Sequence, residues 1–150
     1  MQVACVICET AGKSVKAEAV TPILNVSDIH QSFEWFAKLG WSKGWEWGDP
    51  VGFGGVCSGE VEIFLCENGQ GGKGKGTDTT TFGAAESETQ DQGVWLSIWV
   101  SDVDAVHESC LQQNIEVTWP PQDMPWNVRE MHVRHPDGHV FRISQSLRTG

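Results

Sequence analysis

TPILNVSDIHQSFEWFAKLGWSKGWEW, residues 21–47, and WLSIWVSDVDAVHESCLQQNIEVTWPP, residues 95–121, are two versions of one design. At a constant offset Val26-Ser27-Asp28 falls on Val100-Ser101-Asp102, Leu24 on Ile98, Ile29 on Val103, Trp41 on Ile115 and Trp45 on Trp119. Each copy reads as strand, capped helix, strand. Val20, Leu24 and Val26 alternate with Thr21, Ile23 and Asn25, and Val94, Leu96, Ile98 and Val100 with Trp95, Ser97 and Trp99. That period of two marks strands with two different faces. Ser27 and Ser101 are the expected N-caps, with Asp28, Asp102 and Asp104 favourable in the first turn. Ile29, Phe33, Phe36 and Leu39 form one helical stripe, and Val103, Val106 and Cys110 the other. Gly40 and Asn114 stand where a left-handed stop belongs.

Further short strands are expected at about 43–48, 51–57 and 60–66 after the first helix, and at about 115–119, 128–134 and 139–145 after the second. His135-Pro-Asp-Gly-His139 reads as a hairpin turn, with proline and Asp-Gly in the roles turns require. The expected organisation is an N-terminal extension (1–18), a first βαβββ module (19–66), a flexible linker (67–92), a second module (93–146) and a short tail (147–150). The linker is rich in Gly, Thr and Gln and poor in apolar residues; a lid is the alternative reading of it. Its glycines are no nucleotide signal, because no helix with an apolar stripe follows them. The fold class is α+β: tandem modules whose mixed sheets curl into a cup, with the helices outside.

Composition narrows the function. A formal charge of −10 argues against nucleic acid and anionic membranes and is compatible with cationic partners. No run approaches a membrane span, and no basic segment precedes the apolar patch at the start, so no signal peptide is expected. Five cysteines is an odd count, pointing away from a disulfide framework and toward a reducing cytoplasm. Cys5 and Cys8 have the spacing of half a zinc knuckle, but no second pair completes it. Eight tryptophans with no tyrosine call for a large core or a stacking site.

The chain resembles the vicinal-oxygen-chelate superfamily of glyoxalases, extradiol dioxygenases, fosfomycin-resistance enzymes and bleomycin-resistance proteins. PILNVSDIHQSFEWFAKLGW, VSDVDAV and PPQDMPWNVREMHVRHPDGHVFRISQ carry the resemblance over roughly residues 19–146. Asn127 and His135 depart from the family's Pro-Trp-Gly-x-Arg-Glu and Asp-Pro-Asp-Gly-His patterns. The resemblance implies a divalent metal held at four cup positions, which in this sequence are Thr21, Phe64, Trp95 and Arg142. An indole and a phenyl ring do not ligate a hard cation, and arginine repels one. His132, His135 and His139 look like a metal site in sequence. His139 shares the helix-side parity of Phe141 and Ile143, however, and His135 lies in the turn, leaving only His132 to face the cup.

Parity places Trp95, Ser97 and Trp99 on the concave face, and with them Glu60, Glu62 and Phe64 from the other module. Trp45 and Trp47 follow the first helix, and Trp126 lies in the Pro-Trp segment where the family closes its ligand cleft. The expected binding residues are therefore Trp45, Trp47, Glu60, Glu62, Phe64, Trp95, Trp99, Trp126 and Arg142. Arg142 has two readings open to it: pairing with Glu60 or Glu62, or meeting a ligand's carboxylate or phosphate. A strand tryptophan is usually core, and Trp41, matched to Ile115, is expected there. The resemblance then implies the metal-free, cofactor-free branch: a cytoplasmic homodimer that sequesters a planar cationic antibiotic of the bleomycin type without catalysis. The alternatives are a divergent metal-dependent enzyme of the glyoxalase or dioxygenase kind, or a binder of another aromatic small molecule.

Overall fold

The computed structural model describes residues 15–75 and 93–148. Cys5, Cys8 and most of the linker, residues 76–92, lie outside the described residues. Ten elements follow one another: β1 (Ile23–Val26), α1 (Ile29–Lys38), β2 (Ser42–Gly48), β3 (Val51–Ser58), β4 (Val61–Glu67), β5 (Trp95–Trp99), α2 (Val103–Gln112), β6 (Glu116–Met124), β7 (Val128–Arg134) and β8 (Val140–Ser146). They make two four-stranded mixed sheets, ordered β1-β4-β3-β2 and β5-β8-β7-β6. In each sheet the first and last strands pair in parallel and the others antiparallel.

The internal repeat persists down to the register. Trp45, Gly55, Phe64 and Ile23 lie side by side across the first sheet, and Trp119, His132, Arg142 and Ser97 across the second. Helix capping repeats too, but not as the sequence led us to expect. The N-caps are Asp28 and Asp102, whose carboxylates accept from Gln31 N–H and Ala105 N–H. Ser27 is displaced from that role because its N–H and hydroxyl both donate to Asp137. Glu67 at the end of β4 accepts from the first helical N–H, Ile29, and Gln145 near the end of β8 does the same for Val103. Gly40 and Asn114 take the left-handed conformation after each helix as expected.

Two strands differ from the sequence reading. β1 begins at Ile23, so Val20 and Thr21 are not in it; Pro22 cannot donate to the ladder, although its carbonyl accepts from Phe64 N–H. β6 runs past the expected end at 119 to Met124, accommodating Pro120 and Pro121 at an irregularity between Trp119 and Gln122.

The helix-bearing sides of both sheets share one core. Leu24, Val26, Val56, Ile63 and Leu65 from the first sheet cluster with Met131, Val133, Phe141 and Ile143 from the second, and with Trp35, Phe36 and Trp41 between. Trp41 is core, as expected. Trp35 was outside the expected stripe, yet it packs 5.5 Å from Phe141 and 5.0 Å from His135, ring centre to ring centre. The histidines of the turn act here as joints. His139 Nε2–H donates to the Asn25 carbonyl at 2.7 Å, while its Nδ1 accepts from Val94 N–H. His135 Nδ1 accepts from Asp137 N–H, leaving Nε2–H for the Ser32 hydroxyl at 2.9 Å. Of the linker's described start, Gly71 accepts from the Asn25 amide and Gly74 N–H donates to Asp137.

With the helix sides joined, the opposite faces point outward. Ile23 and Trp47 are 55% and 73% exposed on the first sheet, and Trp95 and Trp99 are 52% and 48% exposed on the second. Among the described residues no ring contact or hydrogen bond links these two faces. The two sheets do not close on one another, and the space between them stays open. None of the described helices is long and apolar enough to cross a membrane.

Candidate functional site

The second sheet's outward face is built around Glu130 on β7. This carboxylate is fully buried. A buried charge survives only when paired and hydrogen-bonded, and Glu130 has several partners. Arg142 Nε and Nη2 reach its two oxygens at 2.8 and 2.7 Å in the fork geometry arginine favours. The Trp126 indole N–H donates at 2.9 Å and His132 Nε2–H at 2.8 Å. Burial pushes the Glu130 carboxyl up, but Arg142, His132 and Trp126 outweigh it and bring it down to about 2. Burial likewise lowers His132, against the pull of Glu130 upward, so the imidazole is neutral at physiological pH. The cluster therefore carries one negative and one positive charge, and no net charge.

Tryptophans surround this floor. Trp119 stacks on His132 with ring centres 5.9 Å apart and planes at 26°, and Trp95 meets the same imidazole edge-on at 6.2 Å. Trp126 is fixed by its bond to Glu130, and Trp99 lies beside Ser144 in the register. The third nitrogen of Arg142, Nη1, donates to the Ser97 hydroxyl at 3.3 Å. The Ser144 hydroxyl, buried between Glu130 and Trp99 in the ladder, has no hydrogen-bond partner.

The first sheet's outward face is carbon where the second is polar. Trp45 lies so close over Gly55 that a Cβ there would collide with its indole nitrogen. Its ring meets Phe53 and Phe64 at 5.1 Å each, and its N–H donates to Glu62 at 3.0 Å. Trp47 stands free of this cluster on the rim. An open hollow of about 520 Å³ between the sheets is lined in part by Glu60, Glu62, Val20, Ser97 and Trp99.

The expected binding residues thus fall into three places. Trp95, Trp99, Trp126 and Arg142 share the second sheet's face; Trp45, Trp47, Glu62 and Phe64 share the first sheet's. Glu60 precedes β4 in an exposed turn and meets Trp99 only across the hollow. Arg142 pairs with Glu130 and not with Glu60 or Glu62, because β7 lies between β8 and β6 and brings a carboxylate to the adjacent strand. The sequence reading missed Glu130 and the role of Trp119. The signal was present: Glu130 shares strand parity with His132, and Trp119 is the repeat partner of Trp45.

The donor chemistry at the four family metal positions does not suit a cation. Phe64 and Arg142 stand at matching register positions of β4 and β8, and Arg142 places a guanidinium where an oxygen donor would be needed. Thr21 precedes β1 and Trp95 offers a ring. Among the described residues no group of three or more His, Cys, Asp or Glu is arranged to hold a metal ion.

The family model of the Glyoxalase/Bleomycin resistance protein/Dioxygenase superfamily matches residues 18–143. A comparison with curated proteins found no sequence match. Among solved structures, a glyoxalase/bleomycin resistance protein/dioxygenase from Nocardioides is 24% identical with a TM-score of 0.63, over 91% of this chain and 89% of that one. A bleomycin-binding protein complexed with bleomycin is 15% identical with a TM-score of 0.62, over 87% of this chain and 99% of that one. The fosfomycin resistance protein FosX from Listeria monocytogenes is 11% identical with a TM-score of 0.62, over 88% and 95%. At these identities the structural likeness speaks for the fold alone. The matched family model covers most of the chain, and the protein belongs to the Glyoxalase/Bleomycin resistance protein/Dioxygenase superfamily.

Proposed function

We propose that this protein sequesters a planar, cationic small molecule of the bleomycin type in the cytoplasm, without chemical change. The observation that carries the reading is the ring of Trp95, Trp99, Trp119 and Trp126 around a charge-neutral floor. Flat rings stack on indoles for roughly 0.5–1.5 kcal/mol per pair beyond area burial, and cations over indole add a similar term. A lone arginine on that floor would repel a cation; paired with Glu130, it does not. The net charge of −10 draws cations toward the molecule, and Glu60 and Glu62 supply carboxylates beside Trp99. Among the described residues no ring contact joins Trp45 and Phe64 of the first sheet to Trp95 and Trp119 of the second, so a ligand that stacks on both sets of rings is better served by a second copy of the chain. That supports a homodimer with two clefts at its interface. The donor set at Thr21, Phe64, Trp95 and Arg142 favours a binder over a metal-dependent enzyme.

The experiment is a titration with bleomycin, followed by quenching of tryptophan fluorescence and by mass analysis of the recovered drug. Quenching with unchanged drug mass is expected. Trp126→Ala should weaken binding by about 1–3 kcal/mol, the range for truncating an aromatic anchor. Folded protein with no quenching at high micromolar drug would overturn the reading, as would recovery of a modified drug.

A further inference from the structure

The reading above leaves open why the binding face spends a buried glutamate on an arginine. Arg142 occupies a cup position and could have been replaced by an apolar residue, as its repeat partner Phe64 is. Instead both nitrogens of its fork are held by Glu130, and the same carboxylate holds the Trp126 indole. Glu130 itself is fully buried, so a ligand meets its effects through Trp126 and Arg142, which are partly exposed. One side chain therefore fixes the ring that a flat ligand stacks on and the charge that such a ligand encounters.

We infer that Glu130 is the specificity-determining positioning residue of this face: by neutralising Arg142 it admits planar cations, and without it the same tryptophans select planar anions. The inference rests on the proposed reading only in placing flat ligands on the second sheet's face. The physical reason is the difference in charge alone. With Glu130 the floor sums to zero; with an uncharged residue there, the guanidinium sits uncompensated a few ångströms below the stacking plane. In a medium between protein and water, one unit charge at that range changes an affinity by about tenfold or more, with opposite sign for cation and anion.

Two small probes of equal ring area, 2-naphthylmethylammonium and 2-naphthalenesulfonate, separate charge from stacking. Their affinities are read by tryptophan fluorescence on the whole chain, with near-ultraviolet circular dichroism confirming the fold of each variant. In the wild type the cation should bind at least as well as the anion. Glu130→Gln keeps an oxygen acceptor for Trp126 and should lower the cation-to-anion affinity ratio by about tenfold or more. Restoring neutrality in Glu130→Gln/Arg142→Gln should return the ratio to within about threefold of wild type, a coupling that only a charge effect produces. Should Glu130→Gln alone fail to fold, Glu130→Gln/Arg142→Lys carries the same net charge on a stem that reaches water, and the same drop is expected. An unchanged ratio in the charged variants overturns the inference. So does an equal fall for both probes, the mark of a merely structural glutamate, and so does failure of both probes to bind the wild type. A wild type that ignores bleomycin while the probe ratio inverts in Glu130→Gln would sink the drug reading and leave this one standing.

Discussion

Lowering the pH from 7.5 to 5.0 is expected to loosen the joint between the two sheets. His135 is 1% exposed, wedged among Ser32, Trp35 and Phe36 of α1 and the neighbouring His139 ring 5.4 Å away. Burial, with a smaller push from His139, lowers it from 6.5 to about 3; Asp137, 3.9 Å off, pulls the other way, and Lys75 adds a small push down. Its folded-state pKa is depressed, so the fold favours the neutral imidazole. The stability this contributes is complete above about 6.5, the unfolded value, and drains as the pH falls toward 3. At pH 5.0 the loss from His135 alone is about 1.5 units times 1.36 kcal/mol, or roughly 2 kcal/mol. Burial also lowers His139 and His132, so both add in the same direction. The carboxylates held low by their partners, Glu130 at about 2 and Asp137, give way only at more acid pH and stay out of this window. For a chain of 150 residues, roughly 2 kcal/mol corresponds to a drop in Tm of about 4–8 °C. Thermal melts by circular dichroism at pH 7.5 and 5.0, on the wild type and on His135→Gln, measure it. The variant keeps a donor for Ser32 and has no titrating group at position 135, so its melts should differ less between the two pH values. A wild-type Tm that does not move, or a variant as pH-sensitive as the wild type, would refute the reasoning.

Two further outcomes are expected. Protein purified without chelator should carry well under one equivalent of nickel, zinc, iron or manganese by elemental analysis, and EDTA should leave its Tm unchanged, because Thr21, Phe64, Trp95 and Arg142 are the wrong donors. Phe141→Ala, which empties a fully buried site shared by both sheets, should cost about 3–5 kcal/mol in urea unfolding.

Much of this was legible because duplication writes the same instructions twice. The offset matching Trp45 with Trp119 in the sequence also gives them equivalent places in the two ladders, since strand register follows from apolar alternation. What local pattern did not disclose depends on atoms distant in sequence. Ser27 is a fair N-cap until Asp137, 110 positions on, takes its N–H and hydroxyl; then Asp28 caps instead. Trp35 lies off the apolar stripe that packs on its own sheet and is buried only because the second sheet arrives beside α1. His139 was placed on the helix side by parity, but its role in tying Asn25 to Val94 requires the halves to be docked. The same docking explains the separation of the candidate residues. Parity tells which residues share a sheet face, not whether two faces in one chain look toward each other.

The repeat also shows why a polar floor comes as a set. At matching register positions the first sheet holds Trp45, Gly55 and Phe64, and the second holds Trp119, His132 and Arg142. In the first, glycine lets the indole settle onto the backbone, and rings fill the rest. In the second, an imidazole stands under the indole and lifts it. A buried imidazole needs a hydrogen-bond acceptor, and Glu130 supplies one; a buried carboxylate needs a cation, and Arg142 supplies that. No member of the trio can be exchanged alone without stranding another. Arg142→Glu, the change that puts an oxygen donor back at the family's metal position, sets a second carboxylate against Glu130 and removes the cation paired with it. Two carboxylates that close raise the pKa of one of them, at the cost of the pairing that fixes Trp126. The arginine at the family's metal position and the tryptophan beside it are therefore held by one glutamate.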